Sequence, residues 1–302
     1  MKSNVKNFLL ALTGVGLFAS SAMGTVTLAS GDLTVAFYQQ IGDVVQPNTY
    51  VFDLGNAGLY RDNTQNNVSV STVNSGINSN INADLVSAFG ANWATSGNVH
   101  WMVVGENPQA AATVNGDPAK TSYFSQGSNA IPTSTPAFTQ GQMSTGLRTS
   151  ANGSISSFFG PVNGYTSASN AAGTIVPSSN PTAVNTFVHT TLSSPDTYFK
   201  LGTDITQTVG SNTYGTGLVG ALDMFRVLFT TSGATQTAGL SSGNATAGLG
   251  QYIGTLTLSN TGNLSIGSLT AVPEPTGLCL TGLLTASGLM LRNRRTRPAQ
   301  LA

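Results

Sequence analysis

From Thr25 to Val272 the chain repeats one pattern: short runs of alternating, β-branched and aromatic residues between clusters of Gly, Asn, Ser and Pro. Such runs are too short for helices of ordinary length and carry the period of strands. The clearest predicted strands are Leu33 to Tyr38, Thr49 to Leu54, Val68 to Val73, His100 to Val104 and Ile155 to Phe159. Four more are expected at Thr186 to Thr190, Asp223 to Phe229, Tyr252 to Leu258 and Leu264 to Ile266. Strands of that length and number predict an all-β ectodomain of sandwich or jelly-roll type. A hydrophobic content of 40% in 302 residues is enough to build its core.

One stretch departs from period two. Ile77, Ile81, Leu85 and Phe89 recur every four residues and Gly90 follows, which predicts one short amphipathic helix over 79–89 that covers a sheet or plugs its mouth. The tracts 105–150, 160–181 and 232–250 are rich in Gly, Ser, Thr, Asn and Ala and read as long loops. No repeat of fixed period is present, which argues against a solenoid.

The charge pattern narrows the functional classes. Charged residues make up 7% of the chain, against about 25% in average soluble domains. Residues 25–272 hold five basic and ten acidic side chains, so this region carries five net negative charges, which disfavours nucleic acid and anionic lipid as partners. The one cysteine, Cys279, lies outside it, which excludes an internal disulfide and cysteine-ligated metal centres.

Catalytic signatures are sparse. His100 and His189 fall on separate predicted strands, and no Gly-x-Ser-x-Gly elbow accompanies them. Alternation places His100 beside Met102 and Val104 on one strand face, the position of a core or edge histidine. Glycoside hydrolysis needs two facing carboxylates. Glu106 is the only glutamate in the region and its nine aspartates are scattered. Asp53, Asp62, Asn63, Asn115 and Asp117 sit in turns but match no calcium loop. No catalytic residue, metal or cofactor is therefore expected. Sugar binding asks only for aromatic platforms, and Trp93, Tyr123 and Tyr165 are the candidates for stacking, with Trp101 and Tyr198 as further rings. Strand-rich, weakly charged chains also carry the option of fibrous self-assembly.

Both ends carry address signals. Lys2 and Lys6 precede an apolar stretch from Phe8 to Ala19 and small residues ending at Gly24, the pattern of a cleaved signal peptide over 1–24. Residues 25–270 form the exported domain. Over 271–297 come Val272, Pro273, Glu274 and Pro275, an apolar segment from Thr276 to Leu291, and then Arg292, Arg294, Arg295 and Arg297. As a helix the apolar segment would be about 24 Å long, a short transmembrane helix that needs arginine snorkelling and local bilayer thinning. The basic cluster predicts a cytoplasmic C-terminus.

That succession resembles the PEP-CTERM sorting signal of Gram-negative exported proteins. The resemblance covers about the last 30 residues. It implies recognition by a membrane-embedded exosortase, loss of the tail near the Pro-Glu-Pro motif, and delivery to the cell surface or an extracellular polysaccharide matrix. The segments Asn48 to Gly55, Asn82 to Leu85 and Phe89 to Trp93 also resemble a recurring ectodomain of PEP-CTERM proteins of verrucomicrobial type. On this reading the secretion machinery and exosortase are partners, extracellular polysaccharide is a further one, and the role is structural or adhesive. A lectin-like or hydrolytic carbohydrate module is the alternative.

Overall fold

The computed structural model describes residues 26–42, 44–63, 65, 67–108, 113–128, 142–163, 173–177, 206–211, 214, 217–230 and 247–267. The expected signal peptide, the C-terminal segment and the strand at Thr186 to Thr190 lie outside these residues. Among the described residues no helix is long and apolar enough to cross a membrane.

The body is mostly β, as its pattern predicts. Among the described residues twelve strands are β1 (Asp32–Ile41), β2 (Val44–Asn56), β3 (Val68–Ser69), β4 (Val99–Glu106), β5 (Thr113–Val114), β6 (Asp117–Pro118), β7 (Ser122–Gly127), β8 (Gly173–Pro177), β9 (Gln207–Thr208), β10 (Leu218–Val227), β11 (Gly250–Ser259) and β12 (Leu264–Gly267). All but β5 and β6 join one curled antiparallel sheet in the order β3-β12-β11-β10-β7-β4-β1-β2-β8, with β9 added beside β4. A single continuous sheet thus supplies the walls around the core.

Alternation sorts the side chains to two faces. The concave face gathers Val35, Phe37, Phe52, Trp101, Val103, Leu222, Met224, Leu256 and Ile266 into one buried cluster. The opposite face presents Ala36, Tyr38, Val51, Met102, Val104, Phe124, Phe225, Val227 and Tyr252. It is covered by a helix, α4 (Thr145–Val162), through Ala151, Ile155, Phe158, Phe159 and Val162.

Three shorter helices close the curl: α1 (Ala57–Arg61), α2 (Val70–Val73) and α3 (Asn82–Phe89). The predicted helix at 79–89 is α3, shortened at its start, and Gly90 ends it at φ 87°, a conformation that suits glycine. The segment that contains it spans the gap between the two limbs of the sheet. Ile81 N–H donates to the Gly262 carbonyl at 2.9 Å and Leu264 N–H to that of Ser79 at 2.9 Å, on the β11–β12 side. On the β2 side the Tyr50 hydroxyl donates to Asp84 Oδ2 at 2.6 Å.

Three expectations are corrected. Ile155 to Phe159 lies inside α4, because its apolar residues continue a helical stripe from Ala151 to Val162. Of Val68 to Val73 only the first two residues pair as a strand, with Ser265 and Ile266, before the chain turns into α2. The tracts read as loops hold β7, β8 and the first turns of α4.

Candidate functional site

Most of the buried charge collects at one end of the sheet. There β1 and β7 begin, β4 and β10 end, and the β5–β6 hairpin folds over. That hairpin turns on Asn115 and Gly116, whose φ values of 51° and 84° meet the demand of a two-residue type I′ turn. The turn delivers Asp117, 1% exposed, into the interior.

Asp117 is the hub. Its Oδ1 accepts from Arg61 Nη1 at 2.9 Å and from Arg226 Nη2 at 2.6 Å, while the Tyr123 hydroxyl donates to Oδ2 at 2.5 Å. Arg61 arrives because α1 follows β2 directly, started by Asn56, whose Oδ1 accepts from Gly58 N–H at 2.7 Å. Its remaining donors go to Asp62 and to the Asn115 carbonyl. Arg226 comes from β10 and also reaches the Gly116 carbonyl at 3.3 Å. Burial, reinforced by Asp117, pushes the Tyr123 hydroxyl well above its ordinary pKa, so it stays a neutral donor. With two arginines matched by Asp117 and Asp62, the arrangement ties α1, β6, β7 and β10 together.

Beside the hub lies a set of carboxylates that meet no cation among the described residues. Glu106, at the end of β4, is 3% exposed and receives the Ser156 hydroxyl of α4 on Oε1 at 2.5 Å, while Oε2 has no hydrogen-bond partner. Burial raises its pKa to about 7. Asp53 of β2 rises to about 7 through burial and then through the charge of Asp32 on β1. Asp32 is itself raised by burial, against the Ala29 N–H that it accepts. Carboxyl groups that change charge near neutrality are the chemistry this end offers. No described group of three or more His, Cys, Asp or Glu could hold a metal ion.

No known sequence family matches this chain, and no curated protein and no solved structure is significantly similar to it. The reading of the site therefore rests on its own geometry.

Two of the three stacking candidates are used for packing. Trp93 is 1% exposed, and its indole N–H donates to Asn82 Oδ1 at 3.0 Å, which pins the chain after α3 to its start. Tyr123 is buried against Asp117. Neither ring offers a face to a sugar, because the core requires both. Tyr165 lies outside the described residues, with Tyr198, His189, Val272, Pro273, Glu274, Pro275 and the four tail arginines. Trp101 is buried, stacked on Phe37, with its N–H bonded to Gln207 Oε1 at 3.1 Å. His100 is half-buried, stacked on Tyr38 and 3.2 Å from the Thr208 hydroxyl, in β4 between β1 and β9 and paired on both sides.

Three of the turn residues weighed for calcium converge on a guanidinium: Asp117 and Asp62 pair with Arg61, and Asn115 gives it a carbonyl. The sequence does not single out Ser156 or Asn152, since Ser156 falls in the expected strand Ile155 to Phe159 and Asn152 between that strand and the expected loop 105–150. The signal that finds them is the i, i+4, i+7 spacing of Ala151, Ile155 and Phe158.

Proposed function

We propose that the chain is an exported, exosortase-processed protein of the cell surface or extracellular matrix, with a structural or adhesive role and no catalytic one. The observation that carries this reading is the order of the C-terminal signals: Val272 to Pro275, then the apolar segment, then Arg292, Arg294, Arg295 and Arg297. Extracellular polysaccharide is the ligand class it favours.

The fold supports the reading in two ways. β1 begins at the end of the sheet toward which β12 runs, so the chain enters and leaves the body at one end. Four residues separate Gly267 from Val272, so removal of the tail at the motif would leave every strand of the sheet intact. Arg61 and Arg226 are committed to interior contacts, and the body is rich in Ser, Thr and Asn, whose hydroxyl and amide groups bond to sugars without charge.

Replacing Pro273, Glu274 and Pro275 together by alanine tests it. The native protein is expected as a mature form that begins near Thr25, ends near the motif, and is released or matrix-bound. The variant is expected to keep its tail and stay in the membrane. Identical full-length membrane forms in both would overturn the proposal.

A further inference from the structure

Glu106 is the most buried of the carboxylates at its end of the sheet that meet no cation among the described residues. β7 presents Ser122 across the ladder, α4 presents Asn152 and Ser156, and β1 continues with the acidic Asp32. Arg61 and Arg226 are held by Asp117, while Lys120 and Arg148 lie over the Phe229 ring.

The junction between β4 and α4 is also short of donors. Asn152 Nδ2 is shared among the Asn107 and Thr121 carbonyls and Ser122 Oγ at 3.3 to 3.4 Å, and Asn107 Nδ2 serves two carbonyls of β6. Glu106 Oε2, Asn107 Oδ1 and Asn152 Oδ1 are buried acceptors left without a donor. A proton on Oε2 removes a buried charge and adds the missing kind of group; ionisation does the reverse.

The helix above this carboxyl has little stability of its own. Gly146, Gly153, Gly160 and Pro161 stand among its 18 residues, with Ser and Thr at many others. Such a composition disfavours an isolated helix, so α4 depends on docking. Its two ends are tied. Arg148 Nη1 donates to the Phe229 carbonyl at 2.7 Å, and Asn163 exchanges two hydrogen bonds with the Leu28 backbone. Between these anchors the bond from Ser156 to Glu106 joins the middle of α4 to the sheet.

We infer that Glu106 is a proton-operated latch for α4: the protonated carboxyl seats the middle of the helix on the sheet, and ionisation unseats it. A raised pKa near neutrality places the transition within reach of an external medium. Unseating would uncover part of the apolar face of Met102, Val104 and Phe124.

Hydrogen exchange on the full chain in mild detergent, from pH 5 to 9, tests the latch. As pH passes through 7, protection factors for the amides of Asn152 to Phe159 are expected to fall at least tenfold further than those of β10 and β11. Glu106→Gln, which keeps an acceptor for Ser156, is expected to stay protected throughout. Ser156→Ala removes a bond that holds the seated helix, most strongly when the carboxyl is ionised, so its protection is expected to fall at lower pH. Flat protection in the native chain, an equal fall in Glu106→Gln, or an unmoved midpoint in Ser156→Ala would each overturn the latch. A transition seen only with EDTA and reversed by calcium would overturn it in favour of a bound cation.

Discussion

Asp117 neutralises two guanidinium groups at once, so its loss is felt twice. Asp117→Asn keeps the shape but leaves Arg61 to the exposed Asp62 and takes from the buried Arg226 the carboxylate it pairs with. Breaking a buried ion pair by removing one partner costs about 3 to 5 kcal/mol, and a fall of that size in urea-unfolding free energy is the expected result. A loss below about 1 kcal/mol would show the hub to be solvated. Glu106 works in the opposite sense. Its carboxyl ionises near 4.5 when unfolded and near 7 when folded. Its contribution is therefore fully present below pH 4.5 and is lost as pH rises through 7. Glu106→Gln should equal the native protein at pH 4 and exceed it by up to about 3 kcal/mol at pH 9. Equal stability at both pH values would place water at the carboxylate.

α4 shows how an element can exist against its own propensity. Its first turn is started by Ser144, whose hydroxyl accepts from Leu147 N–H, and its stripe of Ala151, Ile155, Phe158 and Val162 is fully buried. Docking therefore supplies what composition withholds. Gly153 faces open space within a helical turn. Gly153→Ala should then raise stability by about 1 kcal/mol, read as an increase in Tm. Phe158→Ala removes a ring from the centre of the contact and should cost about 3 to 5 kcal/mol. If it costs little, α4 is not seated through its stripe. The same element explains a misreading. Ile155 to Phe159 taken alone is as compatible with a strand as with a helix, and only the wider window, out to Ala151 and Val162, shows the helical period.

For the whole molecule, closure of the curl rests on the segment from Ser79 to Phe89, which bonds to the β11–β12 turn on one side and to β2 on the other. Tyr50→Phe deletes the bond to Asp84 and keeps the ring. It should cost about 1 to 3 kcal/mol, the range for a buried polar group that loses a partner. Protease susceptibility near α3 should rise with it. Asp53, also raised to about 7, adds to the slope set by Glu106, so the native protein should lose stability steadily from pH 5 to pH 8. A stability maximum above pH 8 would contradict both assignments.

Along this chain, local chemistry determined whatever depends on neighbours in sequence. The alternation of Leu33 to Tyr38 marked a strand, Gly90 ended a helix because few other residues accept its φ, and the order of proline, apolar and arginine segments at the C-terminus needs no fold to be read. The tertiary structure decided what depends on residues far apart. Trp93 and Tyr123 look the same in sequence whether they serve a sugar or a core, and burial alone assigned them to the core. Nothing near Asp117 announces Arg61 or Arg226, which lie 56 and 109 positions away and meet it only because the sheet curls. Glu106 became a titrating group near neutrality through the same cause. A carboxyl takes its pKa from the water it loses, and α4 removes that water only once the sheet beneath it has formed.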